Sequence, residues 1–174
     1  MNLHAIRHKA ERLLAESGEL TLPIRVERIA KTLKLDVLQM DLGSDIAGML
    51  VSDGATSKIC VRKQDARVRR RFTIAHEIGH FYLAHKFSGD QRVHVDRGHV
   101  IRFRSPKSST GEDLMEVEAN QFAASLLMPA HLLREEVEAC GGAPVSDIAV
   151  TRLAEKFDVS EQAMTIRLTV LGLL

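Results

Sequence analysis

The sequence predicts an α+β fold, in which helices pack on a small twisted sheet and a short helical tail follows. Two observations predict this architecture. Apolar residues recur at helical spacing towards both ends of the chain, and three short apolar runs separated by turn residues lie between them. The chain has 174 residues, of which 45% are hydrophobic, enough for one compact domain with a small appendage.

The N-terminal region is predicted to form two helices. Gly18 ends the first helix, whose buried face comprises Ile6, Ala10, Leu13 and Leu14. Pro23 is predicted at the first position of the second helix, where its fixed backbone angle is favourable. The buried stripe of this second helix comprises Ile24, Ile29, Ala30 and Leu33.

The hydrophobic period then becomes typical of strands. The predicted strands are residues 37–40, 47–51 and 58–61. We expect them to pair antiparallel where the turns between them are short. A long helix from Arg67 to His85 follows, and apolar side chains nearly all round it predict that it is buried.

The segment 86–111 allows two interpretations, because its runs 92–94 and 99–103 can pair as a hairpin or belong to a mobile loop. A further helix is predicted from Glu112 to Met128, before Pro129. We divide the chain there into a core of residues 1–130 and a tail of residues 131–174. The tail helices are predicted at 132–140, 147–157 and 160–171.

The buried helix carries the run His76-Glu77-Ile78-Gly79-His80, which has the form H-E-x-x-H. Imidazoles four residues apart lie one turn apart on one helix face, so both can bind the same metal ion. Glu77 lies between them, where a carboxylate can take a proton from water. Burying these three polar groups is costly, and a metal ion is the partner that satisfies all of them. We therefore interpret His76 and His80 as metal ligands and Glu77 as the catalytic residue.

A catalytic zinc site usually has three protein ligands, so a third ligand is needed. The candidates are His85, His94, His99, Glu116 and Glu118. His85 is excluded on geometry, because it lies nine residues from His76, about 180° round the same helix. His94 and His99 lie in the segment with two interpretations and stay open as candidates.

The predicted helix before the tail carries two glutamates, which its own pattern separates. Glu116 shares a stripe with the small Ala119 and Ala123, which let another helix approach closely, so Glu116 is expected to point inward. Asn120 lies one turn further on and can hydrogen-bond a ligand. Glu118 points about 200° away, on a mostly polar stripe that is expected to face solvent and that also holds Leu114, Gln121 and Ser125. We favour Glu116 as the third ligand and Zn²⁺ as the metal, with Mn²⁺ or Fe²⁺ as alternatives.

Three stretches of this chain resemble the ImmA/IrrE-type metallopeptidases. Residues 71–80, RFTIAHEIGH, are similar to the metal helix of that family, and residues 116–129, EVEANQFAASLLMP, to its second motif. Residues 153–168 resemble its small helical tail. The resemblance covers nearly the whole chain.

The resemblance implies a zincin-like metallopeptidase core, with zinc ligands matching His76, His80 and Glu116 and a catalytic glutamate matching Glu77. It also implies an endopeptidase whose substrate is a helix-turn-helix transcriptional repressor, often encoded nearby. Cleavage of the repressor would derepress a mobile element or a stress or toxin–antitoxin operon. An alternative is an anti-repressor that captures the repressor by binding alone, which the intact Glu77 disfavours.

Charge and composition argue against other classes of function. The net charge is +1, which favours neither a nucleic-acid partner nor a membrane surface, and no apolar run reaches the roughly 18 residues of a membrane span. Cys60 and Cys140 lack metal-site spacing and are interpreted as buried thiols of a reducing compartment. The N-terminus has no signal-like apolar region, so a cytoplasmic location is expected.

The tail is helix-turn-helix-like, with Val159 and Ser160 at the turn, which raises the alternative of a DNA-binding regulator. Residues 131–174 hold 4 Lys+Arg and 7 Asp+Glu, a net charge of −3, and the last helix has Arg167 as its one base. An acidic module cannot neutralise phosphates, so we expect no direct DNA binding and interpret the tail as a packing or partner-docking module. A basic cluster comprises Arg62, Lys63 and the run from Arg67 to Arg71. It could bind DNA or an acidic substrate, but we favour its interpretation as a charged lead-in to the buried helix.

Overall fold

The computed structural model describes residues 2–52, 56–85, 93–96 and 111–174, with the backbone alone for 93–96 and 111–113. Seven helices and four strands lie in these ranges. In chain order they are α1 (Leu3–Ser17), α2 (Val26–Thr32), β1 (Leu35–Met40), β2 (Gly48–Ser52), β3 (Ser57–Arg62), α3 (Arg67–Tyr82), β4 (Val93–Asp96), α4 (Gly111–Leu127), α5 (Ala130–Ala139), α6 (Asp147–Phe157) and α7 (Glu161–Leu171). The α+β class is thereby confirmed, while the zincin-like core and the helix-turn-helix-like tail stay predictions.

The sheet is mixed, with the strand order β1-β3-β2-β4. Strands β2 and β3 pair antiparallel, as their short connection predicted, with Leu50 opposite Ile59. Strand β1 pairs parallel with β3. The intervening strand β2 runs in the opposite direction and lies on the other side of β3, so the chain returns to its first direction in β3. Strand β4 adds antiparallel to β2 and takes up part of the segment with two interpretations. The rest of that segment, including His99, lies outside the described residues.

Helix α3 is buried over most of its length, as its apolar pattern predicted, and α4 packs closely against it. Gly79 lies at this contact. A Cβ at Gly79 would come within 3.2 Å of the Ala119 carbonyl oxygen and 3.3 Å of the Ala119 Cα. A glycine on one helix and an alanine on the other therefore allow the two backbones to approach.

The start of the second helix was predicted wrongly. Helix α2 begins at Val26, and Pro23 precedes it in a cis peptide bond with Leu22. Ile24 is fully buried but lies outside the helix, since its carbonyl accepts a hydrogen bond from Arg71 Nη2 at 2.9 Å instead of starting the helical ladder.

The prediction of two buried thiols is half right. Cys60 on β3 is buried, whereas Cys140 is exposed at the C-terminal end of α5. Cys140 follows the last turn of a helix whose buried face is formed by Ala130, Leu133 and Val137, so its side chain lies beyond the packed face.

The basic lead-in to α3 forms internal contacts. Arg62 pairs with Asp65, and Arg70 donates to the Lys63 and Asp65 carbonyls. Arg71 is 4% exposed, and burial lowers the pKa of its guanidinium. Arg70 and Arg71 therefore fasten the start of α3 to its surroundings, in line with the structural interpretation of the basic cluster.

The tail helices form as predicted and pack on the rest of the chain. The Ser146 and Ser160 hydroxyls cap α6 and α7 by accepting hydrogen bonds from the Ala149 and Ala163 amides at 3.4 and 3.2 Å. Apolar side chains of α5, α6 and α7 belong to the same buried cluster as those of α1, α3 and α4. Among the described helices, none has both the length and the apolar character needed to cross a membrane.

Candidate metal centre

Helices α3 and α4 bring His76, His80 and Glu116 together. The Nε2 atoms of His76 and His80 are 2.9 Å apart. The carboxylate of Glu116 places Oε2 at 3.3 Å from His76 Nε2 and Oε1 at 3.2 Å from His80 Nε2. One turn of helix accounts for the histidine pair, and the close approach of α3 and α4 brings in the glutamate.

This donor set fits a divalent metal ion. Imidazole nitrogen and carboxylate oxygen are usual zinc ligands, with bonds of about 2.0–2.2 Å. Ligand atoms on a tetrahedron of that size lie about 3.4 Å apart, close to the separations seen here. The His76 and His80 side chains are 4% and 0% exposed, and that of Glu116 is 31% exposed. The cluster is therefore reached from solvent on the side of Glu116.

Glu77 follows His76 on α3 and is fully buried. Strand β2 passes close to it at Gly48, where a Cβ would lie 3.4 Å from Glu77 Oε1 and 2.3 Å from Thr73 Cγ2. Burial raises the pKa of the Cys60 thiol on the neighbouring strand, and the charge of Glu77 raises it further, against the opposing effect of Lys58. Gly48 was not predicted as a site residue, although a glycine in a predicted strand was an available signal.

Asn120 contacts the other side of His76. Its Oδ1 lies 3.0 Å from His76 Nδ1. Because the Nε2 atom of His76 faces the cluster, a neutral ring that uses Nε2 as a ligand carries its proton on Nδ1 and donates it to Asn120. Asn120 can therefore hold the His76 ring in one orientation.

His85 does not point away from the cluster, as was predicted from its place on the helix. The helix ends before His85, in a turn where Ala84 has φ 54° and the His85 amide donates to the His80 carbonyl at 3.1 Å. This left-handed helix ending takes His85 off the spiral and back towards the cluster. His85 Nδ1 lies 3.0 Å from His80 Nδ1. Such endings usually have glycine, so the sequence carried no signal for this one.

The expectation that Glu118 is a solvated charge was also wrong. Its side chain is 27% exposed, and its Oε2 lies 3.2 Å from His85 Nε2. Ser125, on the stripe expected to face solvent, is fully buried. Glu118 therefore has a polar partner, His85, which is 33 positions away in the sequence. Of the remaining ligand candidates, the side chains of His94 and His99 lie outside the described part of the chain.

Two sequence comparisons show which known proteins this chain is similar to. A family model described as Peptidase_M78, IrrE N-terminal-like domain, matches residues 30–169. The chain is 28% identical over 144 residues to Metallopeptidase ImmA of Bacillus subtilis (strain 168), covering 83% of this chain and 75% of that protein.

A solved structure described as a Mycobacterium tuberculosis transcriptional regulator has a similar fold. The TM-score is 0.61 at 19% identity, covering 95% of this chain and 46% of the other. The chain thus spans less than half the length of that protein, and the likeness concerns the fold alone.

Proposed function

This chain belongs to the Peptidase_M78 family of IrrE N-terminal-like domains, and from that membership we propose that it is a metal-dependent endopeptidase. The observation that carries the proposal is the His76, His80 and Glu116 cluster with Glu77 buried beside it. Two imidazoles and a carboxylate suit Zn²⁺ best, with Mn²⁺ or Fe²⁺ as alternatives.

In the proposed reaction His76 and His80 hold the ion through Nε2, and Glu116 holds it through its carboxylate. A divalent ion in this place supplies Lewis-acid chemistry, polarising the scissile carbonyl and making water more acidic. Glu77 accepts the proton of the attacking water and passes it to the leaving amine. Its burial on α3, against β2, holds the carboxylate in one place for both transfers.

An extended peptide is the substrate shape that the sheet favours. Strands β1 and β4 lie at the two edges of the described sheet, and an edge strand can pair with a peptide backbone whatever its side chains. Strand β4 is the better candidate, because it pairs with β2, the strand whose Gly48 lies against Glu77. We propose that the scissile segment lies along β4.

The resemblance to ImmA/IrrE-type metallopeptidases supports a finer proposal about the substrate. We propose a helix-turn-helix repressor encoded nearby, whose cleavage in the cytoplasm derepresses a mobile element or a stress or toxin–antitoxin operon. Two free cysteines, one of them exposed, are in keeping with a reducing compartment.

The test is mass spectrometry of the neighbouring repressor after incubation with the protein, with and without a chelator, beside the Glu77→Gln variant. We expect a single cut that needs the metal, and a rate about 10²–10⁴-fold lower in Glu77→Gln, which keeps the ligands but loses the base. No cut by a metal-loaded wild type would contradict the proposal. Full relief of repression by Glu77→Gln would favour an anti-repressor that acts by binding.

A further inference from the structure

We infer that His85 and Glu118 position the metal ligand His80 through a chain of hydrogen bonds that ends in a carboxylate. The inference rests on the proposed metal site. It concerns how tightly and in what geometry the site binds its ion, and not which peptide bond is cut.

The contacts form an unbroken line from the helix α4 carboxylate to the cluster. Glu118 Oε2 lies 3.2 Å from His85 Nε2, and His85 Nδ1 lies 3.0 Å from His80 Nδ1. The Nε2 atom of His80 faces His76 and Glu116. The His80 and His85 side chains are 0% and 6% exposed, so water does not compete well for their nitrogen atoms.

The direction of each hydrogen bond follows from the role of His80. A His80 ring that gives its Nε2 lone pair to a metal carries its proton on Nδ1, and it donates that proton to His85 Nδ1. His85 Nδ1 is then an acceptor, so the His85 proton lies on Nε2 and is donated to Glu118. A neutral His85 meets both demands, and burial favours the neutral ring.

The hydrogen-bond chain from Glu118 through His85 to His80 should strengthen metal binding. A ligand histidine whose second nitrogen donates to an acceptor is fixed in its tautomer and orientation and is a stronger base. His76 has the neutral amide of Asn120 in this place, whereas His80 is connected through His85 to a negative charge. We therefore expect the His80 side of the site to depend on residues outside the H-E-x-x-H run.

A purely structural role is the competing explanation, since the His85–Glu118 pair also ties the end of α3 to α4. Metal binding separates the two roles. The measurement is Zn²⁺ affinity by competition with a chromophoric chelator, together with the visible spectrum of the Co²⁺-loaded protein and the thermal midpoint of the metal-free protein. The variants are His85→Leu, His85→Gln and Glu118→Ala, with His131→Leu on an exposed face of α5 as the control.

We expect His85→Leu to weaken Zn²⁺ affinity about 10–100-fold and to shift the Co²⁺ bands, because the His80 ring loses its acceptor. His85→Gln should recover most of the affinity, since an amide can accept from His80 and donate to Glu118. Glu118→Ala removes the end of the hydrogen-bond chain from a partly exposed position, with an expected loss of about 10-fold, the lower end of that range. His131→Leu should match the wild type.

Unchanged affinity and unchanged Co²⁺ bands in His85→Leu, with a lower midpoint of the metal-free protein, would overturn the inference and leave the structural role. If His85→Leu does not fold, Glu118→Ala and His85→Gln decide it: wild-type affinity in Glu118→Ala would overturn it. A wild type that binds neither metal would overturn the metal site itself. Peptide cleavage is not measured in this experiment, so a failed peptidase test would leave the inference about His85 and Glu118 standing.

Discussion

At the scale of single residues, Gly48 decides how closely β2 can approach α3, the helix that carries His76 and His80. A side chain there would meet Thr73 Cγ2 at 2.3 Å, well inside van der Waals contact, and approach Glu77 Oε1 at 3.4 Å. Thr73 and Glu77 are both buried, so neither side chain has free space to move into. The absence of a side chain at Gly48 thus leaves room for the carboxylate of Glu77, the proposed catalytic residue.

We expect Gly48→Ala to lower the free energy of unfolding by about 1–3 kcal/mol, because the added methyl overpacks the contact with Thr73. Urea denaturation of the metal-free protein measures this. Thr73→Ser removes the clashing Cγ2, so the double variant should regain most of the loss, as a double-mutant cycle would show. Additive losses in the double variant would mean that the clash is not the cause.

At the scale of elements, Asp158 joins α3 to the turn between α6 and α7. Its Oδ2 lies 2.7 Å from Arg67 Nη2 and 3.1 Å from Arg71 Nε. Arg71 also donates to the backbone carbonyls of Asp158 and Ile24 at 3.0 and 2.9 Å. The two arginine side chains differ greatly in exposure, 71% for Arg67 and 5% for Arg71. The Asp158 carboxylate thus allows an exposed ion pair, with Arg67, to be compared with a buried one, with Arg71.

Arg71→Met should destabilise the protein by about 3 kcal/mol, because it leaves buried carbonyls and part of the Asp158 charge without their donor. Arg67→Met should cost under about 1 kcal/mol, since solvent screens an exposed pair. Chemical denaturation of both variants gives the two values. Equal losses of unfolding free energy in the two variants would contradict the idea that the buried Arg71 holds the tail against α3.

Helices were largely predictable from local pattern, and their partners were not. The tail helices and α1 follow from apolar spacing, serine caps and a C-terminal glycine, all of which act within a few residues. The start of α2 was missed because the Ile24 carbonyl is taken by Arg71, which is 47 positions away. Parallel pairing of β1 with β3 likewise depends on where β2 lies in the sheet.

At the scale of the whole molecule, the tail is part of the packing and offers little to DNA. Arg167, the one base of α7, is 2% exposed, and its Nε donates to the Met128 carbonyl at 3.0 Å. Burial lowers its pKa to about 10, which still leaves it charged at neutral pH. Because the Arg167 side chain is buried and bonded to the carbonyl at the end of α4, it is not placed to contact a phosphate. The division of the chain after residue 130 stays a prediction.

We expect no measurable binding of a labelled DNA duplex at physiological salt, with a Kd weaker than about 100 μM, because the tail has a net negative charge and α7 presents no free base. Fluorescence anisotropy measures this, and Arg167→Ala should give the same trace as the wild type. Submicromolar binding that weakens steeply with added salt would instead revive the DNA-binding regulator.

By itself the sequence determined the H-E-x-x-H helix, the class of fold and most element boundaries, because spacing and capping depend on neighbours in the chain. It favoured Glu116 over Glu118 through the alanine stripe, but left His94 and His99 open. Only the tertiary structure decided that Glu116 lies within 3.3 Å of both histidines and that His85 turns back to His80. The Glu116 contacts join residues distant in sequence, and the His85 contact depends on a left-handed turn at Ala84 where a glycine would be usual, so no local pattern encodes either.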